Sequence, residues 1–319
     1  MSAAVNSETK AMGGAGVHNE PPSRRFRLIS VLILFTLTWA FASTYYLSSL
    51  AIRGFEPVAA GAWRIIVASV LLSVVAYILG PGLVKTAAQW RAAAIYGIGC
   101  FSVPFLTLPW MLQYLSSTTL AIYYAGIPLF ILVMSWIFLK TPISKQKWLG
   151  FFVGSVGLVT LATVGVDAGS AVAKPDAIIP LLPHVVCVMT AILLAGGAVY
   201  FQALPRMSPL SMTASAFVAA NAVAVPTLIV STILYPPVGM PSAIAITGMM
   251  GTAVIATALG TLLRGILIRR EGAIFTSINA YIIPVNTGII GVLFLGETIS
   301  LANIAAFCLI VIGLLIARR

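Results

Sequence analysis

Long apolar stretches follow one another along almost the whole chain, each separated from the next by a short polar or proline/glycine-rich turn. A membrane-spanning helix needs about 20 mostly apolar residues. By that measure the pattern predicts ten spans, near 28–49, 57–79, 92–114, 117–139, 147–165, 180–203, 210–234, 242–267, 273–295 and 299–317. The turns carry their own signals: Gly54 with Pro57, Gly80-Pro81-Gly82, Pro142, Pro205 with Pro209, and Pro236-Pro237. A polar, Gly/Ala-rich break over 166–178 divides the first five spans from the last five.

The two sides of that break resemble each other. Residues 115–161 lie on 271–317 without a gap at a shift of 156. Pro128 falls on Pro284, Phe138-Leu139 on Phe294-Leu295, Ile143-Ser144 on Ile299-Ser300, and Gly157-Leu158 on Gly313-Leu314. A fixed-period match is the mark of internal duplication. The expected organisation is therefore a tail over 1–27, a first five-helix repeat over 28–165, a linker over 166–178, and a second repeat over 179–319. Five spans per half is odd, so the second half must cross the membrane inverted relative to the first. In membrane proteins that plan most often belongs to a transporter whose site lies where the repeats meet.

Composition narrows the class. The chain is 60% hydrophobic and only 8% charged, against roughly 25% charged residues in soluble domains. It cannot cover a soluble surface, so an all-α integral membrane protein is expected. The net charge of +11 reads as cation-rich cytoplasmic loops and not as a nucleic-acid surface. With the N-terminus inside, the cytoplasmic segments hold Arg24, Arg25, Arg27, Lys85, Arg91, Lys140, Lys145, Lys147, Arg206, Arg269, Arg270, Arg318 and Arg319, and the other side keeps Arg53 and Lys174. That asymmetry puts both termini in the cytoplasm of a multi-pass protein of the cell membrane. Cys100, Cys187 and Cys308 sit in apolar runs with no metal-ligand spacing. They read as packing residues, and neither a metal nor a cofactor is expected. Residues 1–27 lack the apolar core and cleavage site of a signal peptide and read as a disordered tail.

At this point the chain resembles the EamA domains of the drug/metabolite transporter superfamily. The second half carries the resemblance in Gly251-Thr252-Ala253, Arg269-Arg270-Glu271-Gly272-Ala273, Tyr281-Ile282-Ile283-Pro284-Val285 and Leu295-Gly296-Glu297-Thr298-Ile299. The first half has Thr38-Trp39-Ala40-Phe41, Phe55-Glu56-Pro57 leading to Arg64, and the stretch from Ala121 to Pro128. The resemblance covers about residues 28–317 and implies a ten-helix secondary transporter, usually an exporter or exchanger of small metabolites. There is one departure: the first copy has Leu139-Lys140-Thr141 where the second has Leu295-Gly296-Glu297.

Candidate site residues are the polar and aromatic ones at membrane depth. Charge in the bilayer is costly, so Arg64 is a candidate by default. It can anchor a carboxylate or phosphate with its fixed guanidinium fork, or hold backbone carbonyls and snorkel to the interface. Arg264, near Arg269 and Arg270, reads as snorkelling. Asn279 and Asn286 are seven apart and project from one helix face, and the repeat maps them onto Tyr123 and Phe130. Together with Trp39, Trp110, Tyr124, Asn221 and Tyr281 they form the expected cavity lining, which suits a solute part apolar and part polar, such as an amino acid; the alternative reading has the asparagines bonding across to neighbouring helices and the aromatics in plain helix packing. Pro128 and Pro284 are the expected kinks. His184 reads as an interfacial hydrogen-bonding residue. Gly150, Gly154 and Gly157 invite close helix packing, against a neighbouring span or a second protomer in a homodimer.

All seven Asp and Glu fall in the tail, the loops or the ends of helices. A proton relay through buried carboxylates is therefore not expected; exchange or facilitation is, or else coupling to protons by an unusual route. The alternatives in other classes are a membrane-embedded enzyme acting on lipid-like substrates and a passive channel. The enzyme reading lacks catalytic motifs, and a simple pore does not need duplicated halves. The expected partners are a small-molecule substrate and the lipid bilayer.

Overall fold

The computed structural model describes residues 24–140, 142–164, 181–205, 207–237 and 239–318. The expected linker and most of the expected tail lie outside the described residues. Among the described residues the chain is all-helical. The helices are α1 (Arg24–Ala51), α2 (Pro57–Leu79), α3 (Ala87–Met111), α4 (Ser117–Leu139), α5 (Lys145–Val164), α6 (Leu182–Ala203), α7 (Pro209–Leu234), α8 (243–276), α9 (Asn279–Leu295) and α10 (Leu301–Arg318). Seven of them, α1–α4 and α6–α8, are long and apolar enough to cross a membrane, and α9 and α10 are shorter apolar helices. Large apolar side chains such as Phe35, Tyr77, Leu79, Ile233, Leu293 and Leu301 face outward. A surface of that kind suits hydrocarbon.

Local chemistry sets the helix starts. Glu56 caps α2 by accepting from the Ala59 amide at 2.7 Å, with Pro57 next to it in the first turn. Thr86 and Gln89 form a capping box at α3. Ser116, Ser208 and Ser242 cap α4, α7 and α8. The tail predicted to end at residue 27 gives way to helix at Arg24. The third helix begins at Ala87, five residues before the predicted 92, because the capping box nucleates it there. The boundary between the eighth and ninth helices also moves. The polar run Arg269-Arg270-Glu271, expected as a loop, stays helical because each of its side chains is paired. Arg269 donates to the Leu204 and Pro205 carbonyls at 3.0 Å each. Arg270 donates to Ser30 Oγ at 2.9 Å, and Ser30 donates to Glu271. The kink comes at Gly272, whose φ of 87° only glycine adopts without strain.

The packing has a two-fold regularity. α5 packs on α10, α2 on α7, and the first half of α4 on α9. α1 packs against α8 and α9, while α6 packs against α3 and α4. Exchanging each of the first five helices with its counterpart among the last five leaves this pattern unchanged. The shift of 156 also recurs in the backbone. α3 winds into π-helical turns over Ile98–Ser102, and α8 does so over Thr252–Leu259, which the shift places at 96–103. Lys140 and Gly296, again 156 apart, both end their helices in the left-handed conformation, with φ of 55° and 66°.

The glycines of α5 find their partner within the chain. A Cβ on Gly150 would meet the Gly313 carbonyl oxygen of α10 at 2.2 Å, and one on Gly157 would meet the Ala306 carbonyl at 2.7 Å. Gly154 sits against Leu129 of α4. Small residues thus bring the two backbones into contact, the usual way of gaining packing where no hydrophobic force drives helices together.

The candidate functional site

A cavity of about 100 Å³ lies in the middle of the bundle, room for several waters or part of a small organic molecule. α1 contributes Phe41, Thr44 and Tyr45, α2 contributes Arg64, and α3 contributes Phe105 and Leu108. α4 adds Ala121, Tyr124, Ile127 and Ile131, and α6 adds Leu194 and Ala198. α8 and α9 supply Thr261, Arg264, Ile268, Ala273, Thr276, Asn279, Ala280 and Ile283, with Ser277 between them. Helices from both sides of the 165–180 break therefore enclose the same space.

Arg64 is the most constrained of these residues. It is only 2% exposed. Its Nε donates to Thr257 Oγ1, and its guanidinium carbon lies 4.3 Å from the centre of the Phe105 ring. Thr257 belongs to the π-helical turns of α8 and donates its own hydroxyl to the Thr252 carbonyl. The widened winding thus builds the seat for Arg64, consistent with the frequent placement of such turns at functional sites. Nη1 of Arg64 is buried and has no protein hydrogen-bond partner, and the same holds for Thr44 Oγ1. A buried donor left unmade costs about 1–3 kcal/mol, more when charged, so this part of the wall is chemically unsatisfied.

Arg264, expected to snorkel, turns inward and lines the cavity, with Nη2 donating to the Leu194 carbonyl at 3.1 Å. Thr257, Thr261, Arg264 and Ile268 recur at intervals of four, three and four, which places them on one face of α8. That polar stripe was readable in the sequence, and it is the signal that could have found Arg264. Phe41, Thr44 and Phe105 carried no such signal.

The other expected lining residues divide. Arg64, Tyr124 and Asn279 line the cavity. Tyr124 also pairs its hydroxyl with Thr190 Oγ1 at 3.2 Å, and its ring lies 6.5 Å from that of Tyr45. Tyr123 points away: its hydroxyl meets His184 Nδ1 at 2.7 Å, both residues buried between α4 and α6. Trp39 is 42% exposed and stacks edge-on with Phe35, because α1 turns its Leu34–Thr38–Phe41–Tyr45 side inward. Trp110 packs on Tyr114 at 5.0 Å beyond the cavity. Asn221 donates to Ser69 Oγ at 3.0 Å and ties α7 to α2. Tyr281 is half-buried outside the lining. Asn286 is buried about 10 Å farther along α9 than Asn279, beyond the cavity.

The expected kinks also separate. α4 breaks at Gly126, just before Pro128 in the first turn of the following segment. α9 runs from Asn279 to Ile290 with Pro284 inside the helix.

One feature went unrecognised in the sequence. Glu297, in the turn after α9, is 7% exposed and caps α4 from outside. Its carboxylate accepts from the Ser117 amide at 2.8 Å, Ser117 Oγ at 2.9 Å, the Thr118 amide at 3.3 Å and Thr118 Oγ1 at 3.0 Å. Ser116 Oγ takes the Thr119 amide at 3.2 Å. The first three free amides of α4 are thereby all satisfied. This clamp stands at one end of α9; Thr276, Ser277 and Asn279, where the cavity runs out between α8 and α9, stand at the other.

Comparison with known proteins gives this arrangement a relationship. The model of the EamA-like transporter family matches twice, over residues 28–163 and 181–319. An uncharacterized transporter of Archaeoglobus fulgidus is 26% identical over 303 residues, covering 91% of this chain and 98% of its own length. One of Buchnera aphidicola subsp. Schizaphis graminum is 25% identical over 135 residues; this match covers 42% of the chain and only 44% of that relative. A solved crystal structure shares the fold at a TM-score of 0.64 and 18% identity, covering 91% of this chain and 98% of the other. With its multiple apolar helices and both halves matched, the chain belongs to the EamA-like transporter family of the drug/metabolite transporter superfamily.

Proposed function

We propose that this protein is a secondary transporter, an exporter or exchanger, that moves small organic metabolites of amino-acid size across the cell membrane by alternating access. The ten helices act as two inverted five-helix repeats, 28–165 and 179–319, with both termini cytoplasmic. The observation that carries the reading is the central cavity, enclosed by helices of both halves and holding a buried, incompletely paired Arg64. The two-fold packing pattern supports an exchange of roles between the halves, which is how inverted repeats expose one site to either side. Within the cavity, Arg64, Tyr124 and Asn279 are the substrate-contacting residues of this proposal.

The test is counterflow into liposomes loaded with unlabelled solute. A carrier gives saturable uptake with a transient overshoot. Arg64→Gln and Asn279→Ala are expected to lose uptake while remaining folded, and Phe138→Ala, on an exposed apolar position, is expected to retain it. Flux that rises linearly with concentration would show a passive channel instead and end the carrier reading.

A further inference from the structure

We infer that the transported solute is an organic anion: an apolar body bearing a carboxylate and no ammonium group. The inference rests on the central cavity being the substrate site, and adds the sign of charge that site accepts. Among the described residues lining the cavity, two are arginines and none is acidic. A guanidinium is always charged, and its planar fork matches a carboxylate edge to edge. Nε of Arg64 is held by Thr257 and Nη1 is buried without a protein partner, so the guanidinium that lines the cavity is incompletely paired. Arg264 is fixed by the Leu194 carbonyl and adds positive potential without closing that gap. The neutral polar groups nearby, Thr44 and Asn279, can bond a carbonyl or hydroxyl of the solute.

A buried cation lacking a counter-charge is expensive, and an incoming carboxylate supplies that counter-charge. An ammonium group has no such partner here: it would enter a low-dielectric space beside two fixed cations, where like charges repel strongly. Cationic amines are thus disfavoured outright, and zwitterionic amino acids gain at the carboxylate what they lose at the ammonium. The aromatic rings of Phe41, Tyr45, Phe105 and Tyr124 provide the apolar wall.

The test holds the body constant and changes the charge. Purified full-length protein in detergent is melted with 3-phenylpropionate, phenylalanine and phenethylamine, and with the matching aliphatic series of butyrate, 2-aminobutyrate and propylamine. The anions are expected to raise the midpoint and to half-saturate at concentrations about tenfold or more below the other forms, the equivalent of one good charge pair. Arg64→Gln is expected to abolish the anion response. Arg64→Lys, which keeps the charge but not the fork, is expected to weaken it, and serves as the readout should the glutamine variant fail to fold. A stronger response to either amine-bearing form, an undiminished anion response in both variants, or silence of every anion overturns the inference. Counterflow separates this from the transport reading. Saturable counterflow of an amino acid or amine leaves the carrier standing and removes the anion. Anion binding without saturable flux of any solute removes the carrier instead.

Discussion

Glu297 offers a quantitative test of how the two halves are joined. Its single carboxylate receives two backbone amides and two hydroxyls from the first turn of α4. Those amides have no acceptor within the helix, and truncation to alanine strands both in a place that is only 7% exposed. A hydrogen bond to a charged group contributes about 1.5–3 kcal/mol, and a carboxylate at a helix N-terminus adds about 0.3–2 kcal/mol. The four bonds share one acceptor and do not add, so the expected loss for Glu297→Ala is about 3 kcal/mol. Glu297→Gln keeps the shape but turns one acceptor into a donor facing donors, for an expected loss of about half that. At roughly 2 °C per kcal/mol for a chain of this size, the melting midpoint in detergent should fall by about 6 °C and 3 °C respectively. A Ser117→Ala/Thr118→Val variant should lower the midpoint too, and combining it with Glu297→Ala should add little further, because both remove the same contacts. A Glu297→Ala midpoint within about 1 °C of wild type, or fully additive losses, would refute the clamp as a source of stability.

Three further outcomes are expected. Gly150→Ala should destabilise by about 1–3 kcal/mol, since its Cβ would fall 2.2 Å from the Gly313 carbonyl and α5 and α10 would have to separate; an unchanged melting midpoint would contradict that backbone contact. Lys140→Gly should stabilise by about 1 kcal/mol by removing a left-handed lysine, whereas Gly296→Ala should cost a similar amount, and opposite signs in chemical unfolding would show that the φ argument fails. Tyr123→Phe should lower stability by about 1 kcal/mol through loss of the bond to His184 while leaving the ligand response of the cavity unchanged; a lost ligand response would place Tyr123 in the site after all.

The all-helical class and most helix boundaries were legible because hydrocarbon tolerates few alternatives to long apolar helices. α2 and α4 begin and end where the hydrophobic runs do. The boundary between α8 and α9 was not legible, because Arg269, Arg270 and Glu271 look like a loop until their partners on α1 and the end of α6 are known. The site was legible only where one residue type is anomalous by itself, as Arg64 is. Aromatic residues misled. Trp39 and Trp110 are as apolar facing lipid or a packed neighbour as facing a cavity, and periodicity within one helix does not say which neighbour that helix turns to. Tyr123 and Tyr124 show the limit: adjacent in sequence, they point to different neighbours, one to His184 and one to the cavity.

The clamp at Glu297 has no twin. At the shift of 156 its place is taken by Thr141, and Ser117 and Thr118 are replaced by Ala273 and Ile274, which have no hydroxyls to offer. A device built from two equal halves would have two mirror-related states of equal free energy. At the counterpart end the sequence supplies neither the carboxylate nor the two hydroxyls, so under the proposed alternating access the two states are expected to be unequal. A latch of about 3 kcal/mol corresponds to roughly a hundredfold difference in population. Under the proposed alternating access, and with the clamp bonds broken in the other state, the state with that end shut is the expected resting state, and a solute that needs the other one is expected to bind with an apparent affinity lowered by the same factor. We expect single cysteines placed near Glu297 to react slowly with a membrane-impermeant thiol reagent, and to react much faster in the Glu297→Ala variant; equal rates would leave the two states balanced. Under the proposed cycle, one carboxylate would have to let go of one helix end before the chain could leave that state.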